Sequence, residues 1–246
     1  MGFSLPALPT VYSPGNFGIG QHVIYYDDFL RGGAGTSIAG KFATTADAAE
    51  WLVTADNAGS HVIADASPGG ILRITPGTGA GDFRSMQLNG ESFAVQNNKK
   101  MWFGARFALS DADDGPWFVG MASTDVSGAT LGPIYDGTND SLGFRAHSSS
   151  SAVIDYVVED DATETTASTA YSLTDAGFIE IGFYLNGRSY IEMYVNTPTG
   201  GGRVVKTSAN IPDNLAYVTP TVEIGSTTGT TATYMDLDWI YCIQER

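Results

Sequence analysis

From Lys99 to Asp125 the chain reads KKMWFGARFALSDADDGPWFVGMASTD, and its first half suits one kind of backbone. Met101, Phe103, Ala105, Phe107 and Leu109 fall on one side of an extended chain, and Trp102, Gly104, Arg106 and Ala108 on the other. This period of two is that of a β-strand. The first side is apolar throughout, so it belongs against a second layer, whereas the second side is mixed. Asp111 to Pro116 then gathers Asp, Gly and Pro, which favour chain reversal, before Trp117 to Ala122 resumes the apolar pattern. Read locally, the two runs form a long hairpin.

The same punctuation recurs along the chain, with turn signals every eight to twelve residues or so. His22 to Leu30 is strand-like and leads into a Gly-rich loop. Thr45 to Thr54 is either a short helix with Thr45 as its N-cap or a strand around Trp51, Leu52 and Val53. His61 to Ala66 and Gly70 to Thr75 make a hairpin, and Asp82 to Leu88 with Ser92 to Val95 make another across Asn89-Gly90. Further strands are expected at Leu131 to Tyr135, Ser141 to His147 and Ala152 to Glu159. Gly177 to Leu185 and Ser189 to Val195 form a one-sided pair, with Ile179, Ile181, Phe183 and Leu185 inward and Glu180 and Tyr184 outward. After a loop at 196–202 come strands at Arg203 to Thr207 and Pro220 to Gly225. Tyr234 to Ile243 closes the chain, with Met235, Leu237, Trp239 and Tyr241 opposed to Asp236, Asp238, Ile240 and Cys242. Roughly twelve to fourteen strands and little helix describe an all-β, two-sheet antiparallel sandwich of the jelly-roll type, its first strand region paired with its last. The expected organisation is an extended arm at 1–22, rich in Pro and Gly, and one sandwich domain at 23–246.

Composition narrows the function classes. With 12 basic and 27 acidic side chains the net charge is −15, which repels nucleic acid and anionic bilayers, so neither is an expected partner. No run of about twenty apolar residues is available to span a membrane as a helix. The one cysteine, Cys242, excludes an intrachain disulfide and is expected to be a buried thiol. The opening residues lack the basic and apolar regions of a secretory signal, which fits synthesis in a cytoplasm.

Reactive constellations are sparse. A glycosidase on such a sandwich needs two carboxylates facing one cleft. The nearest candidates are Asp236 with Asp238 and Glu180 with Glu192, and a solvated outer face explains them better. His22, His61 and His147 lie in separate segments, a poor basis for a histidine metal site. No G-x-S-x-G elbow occurs, and the glycines at 32–41 lack phosphate-loop spacing. No catalytic residue is assigned and no cofactor is expected. Calcium is the one ion the residue types would suit, at Asp111, Asp113 and Asp114 or at Asp136, Asn139 and Asp140, which are also ordinary turn residues.

The succession DDFL (27–30), Trp51, GGILRI (69–74), KKMWFGARFALSDAD (99–113), FVGMASTD (118–125), GFR (143–145), FIEIGFYLNG (178–187) and MDLDWIYCIQ (235–244) resembles virion surface proteins of tailed bacteriophages. These are capsid decoration or cement proteins on a concanavalin-like jelly roll. The resemblance implies a structural, non-enzymatic protein on the capsid surface of a virion, made in the host cytoplasm. It implies contact with a major capsid protein and self-association, for which a trimer is the natural guess. Phe3, Leu5, Leu8, Val11, Tyr12 and Phe17 are the candidate interface residues of the arm, which is otherwise a disordered leader. The alternative is a lectin-like module stacking sugar rings on Trp117, Tyr135 or Tyr156. The last strand also resembles the closing strand of laminarinase-type glycoside hydrolases, but their E-x-D-x-E strand is absent, so a hydrolase ranks last.

Overall fold

The computed structural model describes residues 22–29, 42–43, 50–55, 59–65, 70–90, 93–123, 140–147, 150–161, 163–227 and 233–246. These contain seventeen strands and no helix. In chain order they are β1 (His22–Asp27), β2 (Phe42–Ala43), β3 (Trp51–Ala55), β4 (Ser60–Asp65), β5 (Ile71–Thr75), β6 (Phe83–Leu88), β7 (Phe93–Ala94), β8 (Lys100–Leu109) and β9 (Trp117–Ala122), followed by β10 (Ser141–Ala146), β11 (Val153–Asp160), β12 (Thr163–Ser172), β13 (Ile179–Asn186), β14 (Tyr190–Thr197), β15 (Gly200–Thr207), β16 (Tyr217–Gly225) and β17 (Met235–Glu245). Sheet A runs β15-β14-β13-β8-β17-β5-β4, with β1 also on β17. Sheet B runs β12-β11-β10-β9-β16-β6-β3-β2, with β7 also on β16. All pairs are antiparallel except β2 with β3.

Apolar alternation determines which way each strand faces. Met101, Phe103, Ala105, Phe107 and Leu109 of β8 are buried in the core between the sheets, as are Ile179, Ile181, Phe183 and Leu185 of β13. The Phe103 and Phe183 rings stack 5.2 Å apart, and truncating either to Ala would cost on the order of 3–5 kcal/mol. The β13–β14 turn needs a glycine at 187, because φ is +57° and a Cβ there would stand 2.1 Å from the Asn97 carbonyl oxygen. The strands expected at 141–147 and 152–159 pair as β10 and β11, and the expected hairpins β4–β5 and β13–β14 are present. So is closure of the chain by its ends, with His22 opposite Glu245 and Asp27 opposite Ile240.

Other expectations are corrected. β8 and β9 are not a hairpin: β8 lies between β13 and β17 in sheet A, and β9 between β10 and β16 in sheet B. The reversal at 110–116 carries the chain across the core, where the Trp117 and Phe107 rings meet at 5.2 Å. β6 and β7 do not pair with each other; both lie along β16, through Thr221 opposite Gln87 and Val218 opposite Phe93. β12 was not legible, because its side chains are mostly exposed and carry no apolar alternation. Strand β14 continues to Thr197 and β15 begins at Gly200, so the expected loop at 196–202 is mostly strand. At 51–55 the strand alternative holds, while 44–49 lie outside the described residues.

The phase of β17 is also corrected. A bulge between Leu237 and Trp239 resets the alternation, so Met235, Leu237, Ile240 and Cys242 face the core. Trp239, Tyr241 and Ile243 instead form a second cluster with Trp102 and Tyr184 on the opposite face. Cys242 is a fully buried thiol, as expected, and burial pushes its pKa up.

Asp27 fastens β1 to the other sheet. Its buried carboxylate accepts the Phe29 N–H at 2.9 Å, the Trp51 indole N–H at 3.2 Å and the Tyr25 hydroxyl at 3.1 Å. Replacing Asp27 by Ala leaves the buried indole donor without this acceptor and should lower unfolding stability by roughly 2–3 kcal/mol in urea denaturation. A Cβ on Gly104 would meet the Tyr241 ring at 2.6 Å, so Gly104→Ala should cost about 1–3 kcal/mol through overpacking, read in the same assay.

Candidate functional site

The outward face of sheet A carries an apolar band. Register places Ile24 beside Ile243, Ile243 beside Trp102 and Trp102 beside Tyr184, a row across β1, β17, β8 and β13. The adjoining row sets Tyr26 beside Tyr241, whose ring lies over Gly104. At the β1 end, Ile24 is 53% and Tyr26 58% exposed, among the most exposed large hydrophobic side chains described. Ring contacts extend the band: Trp102 to Tyr184 at 5.5 Å, Tyr184 to Tyr190 at 6.0 Å edge-on, and Trp239 stacked on Tyr241 at 5.7 Å. Burial, with Tyr190 and two carboxylates nearby, pushes the Tyr184 hydroxyl up to about 12.

Charges around this band are paired with one another. Arg73 holds Asp236 through two bonds of 2.8 Å, and Arg106 holds Asp238. Glu192 takes Lys206 at 2.8 Å, Arg203 at 3.4 Å and the Tyr194 hydroxyl at 2.6 Å, and the Lys206 bond leads in holding its pKa low. The Lys206 ammonium also lies 3.7 Å from the Tyr190 ring centre. The carboxylates considered for glycoside hydrolysis are therefore not a free acid and base: Asp236 and Asp238 are each tied to an arginine. Glu180 stands opposite Asn196 and Glu192 opposite Tyr184, so that pair does not converge either.

The outward face of sheet B is polar and closely packed. Ser85, Gln87, Ser141, Glu159, Thr219, Thr221 and Glu223 are all buried there. Gln87 donates to Thr221 Oγ1 at 2.9 Å and to the Ser123 carbonyl at 3.1 Å, Thr219 donates to the Leu88 carbonyl at 2.8 Å, and Ser141 donates to Glu159 at 3.1 Å. Gly120 and Gly143 face each other across β9 and β10, and the Phe118 ring occupies the space their side chains would fill. The strands at 82–88 and 220–225 were expected, but the packing of their polar side was not legible, because alternation alone does not show that a polar side is buried.

The histidines remain apart, as expected. His22 lies near Trp102 with ring centres 6.3 Å apart, His61 meets Arg84, and His147 meets Asp155 and Ser168. The last group has the residue types of a hydrolytic triad without its wiring. Asp155 at 3.0 Å and Ser168 at 3.0 Å both address His147 Nδ1, whereas a relay needs the serine on the other ring nitrogen. Among the described residues no three His, Cys, Asp or Glu side chains are grouped to hold a metal ion. Asp114 accepts the Thr227 and Thr233 hydroxyls, and the Asp111 pKa is raised chiefly through its hydrogen bond with Asp113. Asp136 and Asn139 lie outside the described residues.

Trp117 is not an exposed platform: it is 1% exposed within the core, because β9 is a central strand buried on both faces. Tyr156 is half-buried against the core, and Tyr135 lies outside the described residues. The arm residues Phe3, Leu5, Leu8, Val11, Tyr12 and Phe17 also lie outside them.

No family model and no curated protein matches the sequence. Solved structures do match the fold. A protein of unknown function from Shewanella oneidensis MR-1 superposes with a TM-score of 0.61 at 13% identity, over 92% of this chain and 87% of that one. Peanut lectin, solved with a nine-residue peptide, gives 0.56 at 11% identity over 92% and 98%. Lectin I of Ulex europaeus, solved with the methyl glycoside of α-L-fucose, gives 0.57 at 10% identity over 91% and 98%. At such identities the likeness establishes architecture alone. The chain has the all-β, two-sheet jelly-roll fold of the legume lectins.

Proposed function

We propose that this chain is a non-catalytic structural module of a tailed-phage particle, a decoration or cement protein that binds neighbouring subunits through the outward face of sheet A. The observation that carries this reading is the row Ile24, Ile243, Trp102 and Tyr184, with Tyr26 and Tyr241 beside it, ending in two hydrophobic side chains that are more than half exposed. Exposed apolar surface continuous with a packed aromatic cluster is the signature of a surface meant to be covered. Its aliphatic members favour a protein partner over a sugar, and its charges, already paired at the margins, supply a polar rim. On the phage reading the partners are the major capsid protein and further copies of the chain, with a trimer as the expected oligomer. The arm residues Phe3, Leu5, Leu8, Val11, Tyr12 and Phe17 add apolar contacts to the same particle, and many symmetric copies add avidity.

A second reading, carbohydrate recognition, is favoured by lectins of the same fold solved with a fucoside and with galactose. On that reading the chain holds a particle to host or surface glycans.

The double variant Ile24→Asp/Tyr26→Ser should retain its melting temperature and lose at least about tenfold in self-association by sedimentation velocity, or in occupancy on assembled particles. Unchanged association and occupancy would overturn the sheet A reading. A glycan array should show no specific signal with the wild-type chain; specific hits retained by Ile24→Asp/Tyr26→Ser would establish the second reading instead.

A further inference from the structure

Among the described residues, one buried cation has no charge opposite it. Along β6, Arg84 shares its face with Met86 and Leu88, which lie in the core, so its side chain points between the sheets. It is 7% exposed, and its strand neighbours are Ala55 and Ile224. A guanidinium has five donors and no acceptor, and burying it without an anion is costly. The one hydrogen-bond contact described for Arg84 joins Nη1 to His61 Nδ1 at 2.9 Å, and its Nε is buried without a partner. Among the described residues no carboxylate forms an ion pair with it.

The surroundings add further polar atoms. Because arginine can only donate, His61 Nδ1 must accept, which places the ring proton on Nε2. Burial, and then the Arg84 charge, lower the His61 pKa, while burial lowers that of Arg84. Arg84 from β6, Phe42 from β2 with ring centres 5.1 Å apart, and Ile74 beside it on β5 face His61; of these Arg84 alone carries charge. Residue 59 is a glycine whose absent Cβ would stand 3.0 Å from Arg84 Nε. Ser226, just beyond β16, has its hydroxyl buried without a partner, and its N–H donates to the Asp82 carbonyl two residues before Arg84. The Asp82 carboxylate itself accepts the Gly79 N–H at 2.7 Å.

We propose that Arg84 and His61, at the end of the sandwich where the loop 76–82 passes from sheet A to sheet B, form a binding site for a small oxyanion. The buried Nε–H, which has no partner, supplies the charged donor, and His61 adds a second positive charge beside it when it takes a proton. The ligand class is a carboxylate or a tetrahedral oxyanion, either as a free ion or as the acidic group of a larger molecule. Anion and proton uptake are linked: an anion at Arg84 offsets the charge that disfavours protonation of His61, so each promotes the other. The depressed histidine pKa means that the stability it contributes is present above about 6.5 and lost as pH falls through the folded value. The bound anion moves that loss to higher pH through a histidine that is now easier to protonate, while its own binding compensates.

The test is the NMR titration of the three histidines in wild-type protein, with chloride exchanged for sulfate or acetate at constant ionic strength. His22 and His147 serve as internal references, and melting temperature is not used because sulfate stabilises proteins generally. The expected result is a rise of about half a unit or more in the His61 pKa, with the other two histidines unmoved. Sulfate, whose charge is constant in this range, should bind at least about threefold more tightly at pH 5.5 than at pH 7.5 by the linkage above. Arg84→Met should abolish the response and Arg84→Lys should weaken it. A response to acetate alone identifies a carboxylate site and one to sulfate alone a tetrahedral-anion site. Equal His61 titrations in all three salts, or a common shift of all three histidines, overturn the proposal without need of any variant.

Discussion

Sheet A depends on the last strand. β17 runs through its middle, pairing with β8 along one edge and with β5 and then β1 along the other. The change of partner on that edge, from β5 at 235–237 to β1 at 240–245, falls where the bulge at Leu237 to Trp239 inserts an extra residue against β8 and shifts the phase of the strand. The same irregularity keeps Ile240 and Cys242 in the core and turns Trp239 and Tyr241 outward, so the aromatic cluster on the outer face follows from one backbone defect. Every pairing of this strand joins residues far apart in sequence, which makes the sheet slow to assemble and dependent on the C-terminal segment.

The two outer faces divide the polar and apolar side chains of a lightly charged chain between them. Sheet A presents rings and aliphatic groups bordered by arginine–carboxylate pairs. Sheet B presents hydroxyls, an amide and carboxylates knitted to neighbouring backbone carbonyls and to each other. Among the described residues neither face assembles a nucleophile with its base or a converging pair of carboxylates, and the functional reading rests on surfaces.

What the sequence disclosed follows from where its patterns are local. The alternation of β8 and β13 and the hairpin pairings β13–β14 and β4–β5 were legible because each depends on side-chain period or on turn residues close in sequence. The crossing from β8 to β9 was not, since a turn that joins neighbours within a sheet and one that changes sheets use the same residues; only the meeting of Trp117 with Phe107 distinguishes them. β12 is a Thr-rich strand without an apolar face, and alternation cannot reveal it. At the candidate site, the separation of the histidines was apparent from their spacing. The arginine partners of Asp236 and Asp238 were not, because they lie 163 and 132 residues away. The Arg84–His61 meeting joins opposite sheets, and neither residue type announces it.

The juxtaposition of His22 with Glu245 has an architectural consequence. A chain that enters and leaves its fold on adjacent antiparallel strands, at one end, is a plug-in unit: it can be spliced into a surface loop of another protein with both connections made at one point and neither sheet disturbed. The sandwich is thus suited to being carried by whatever polypeptide displays it.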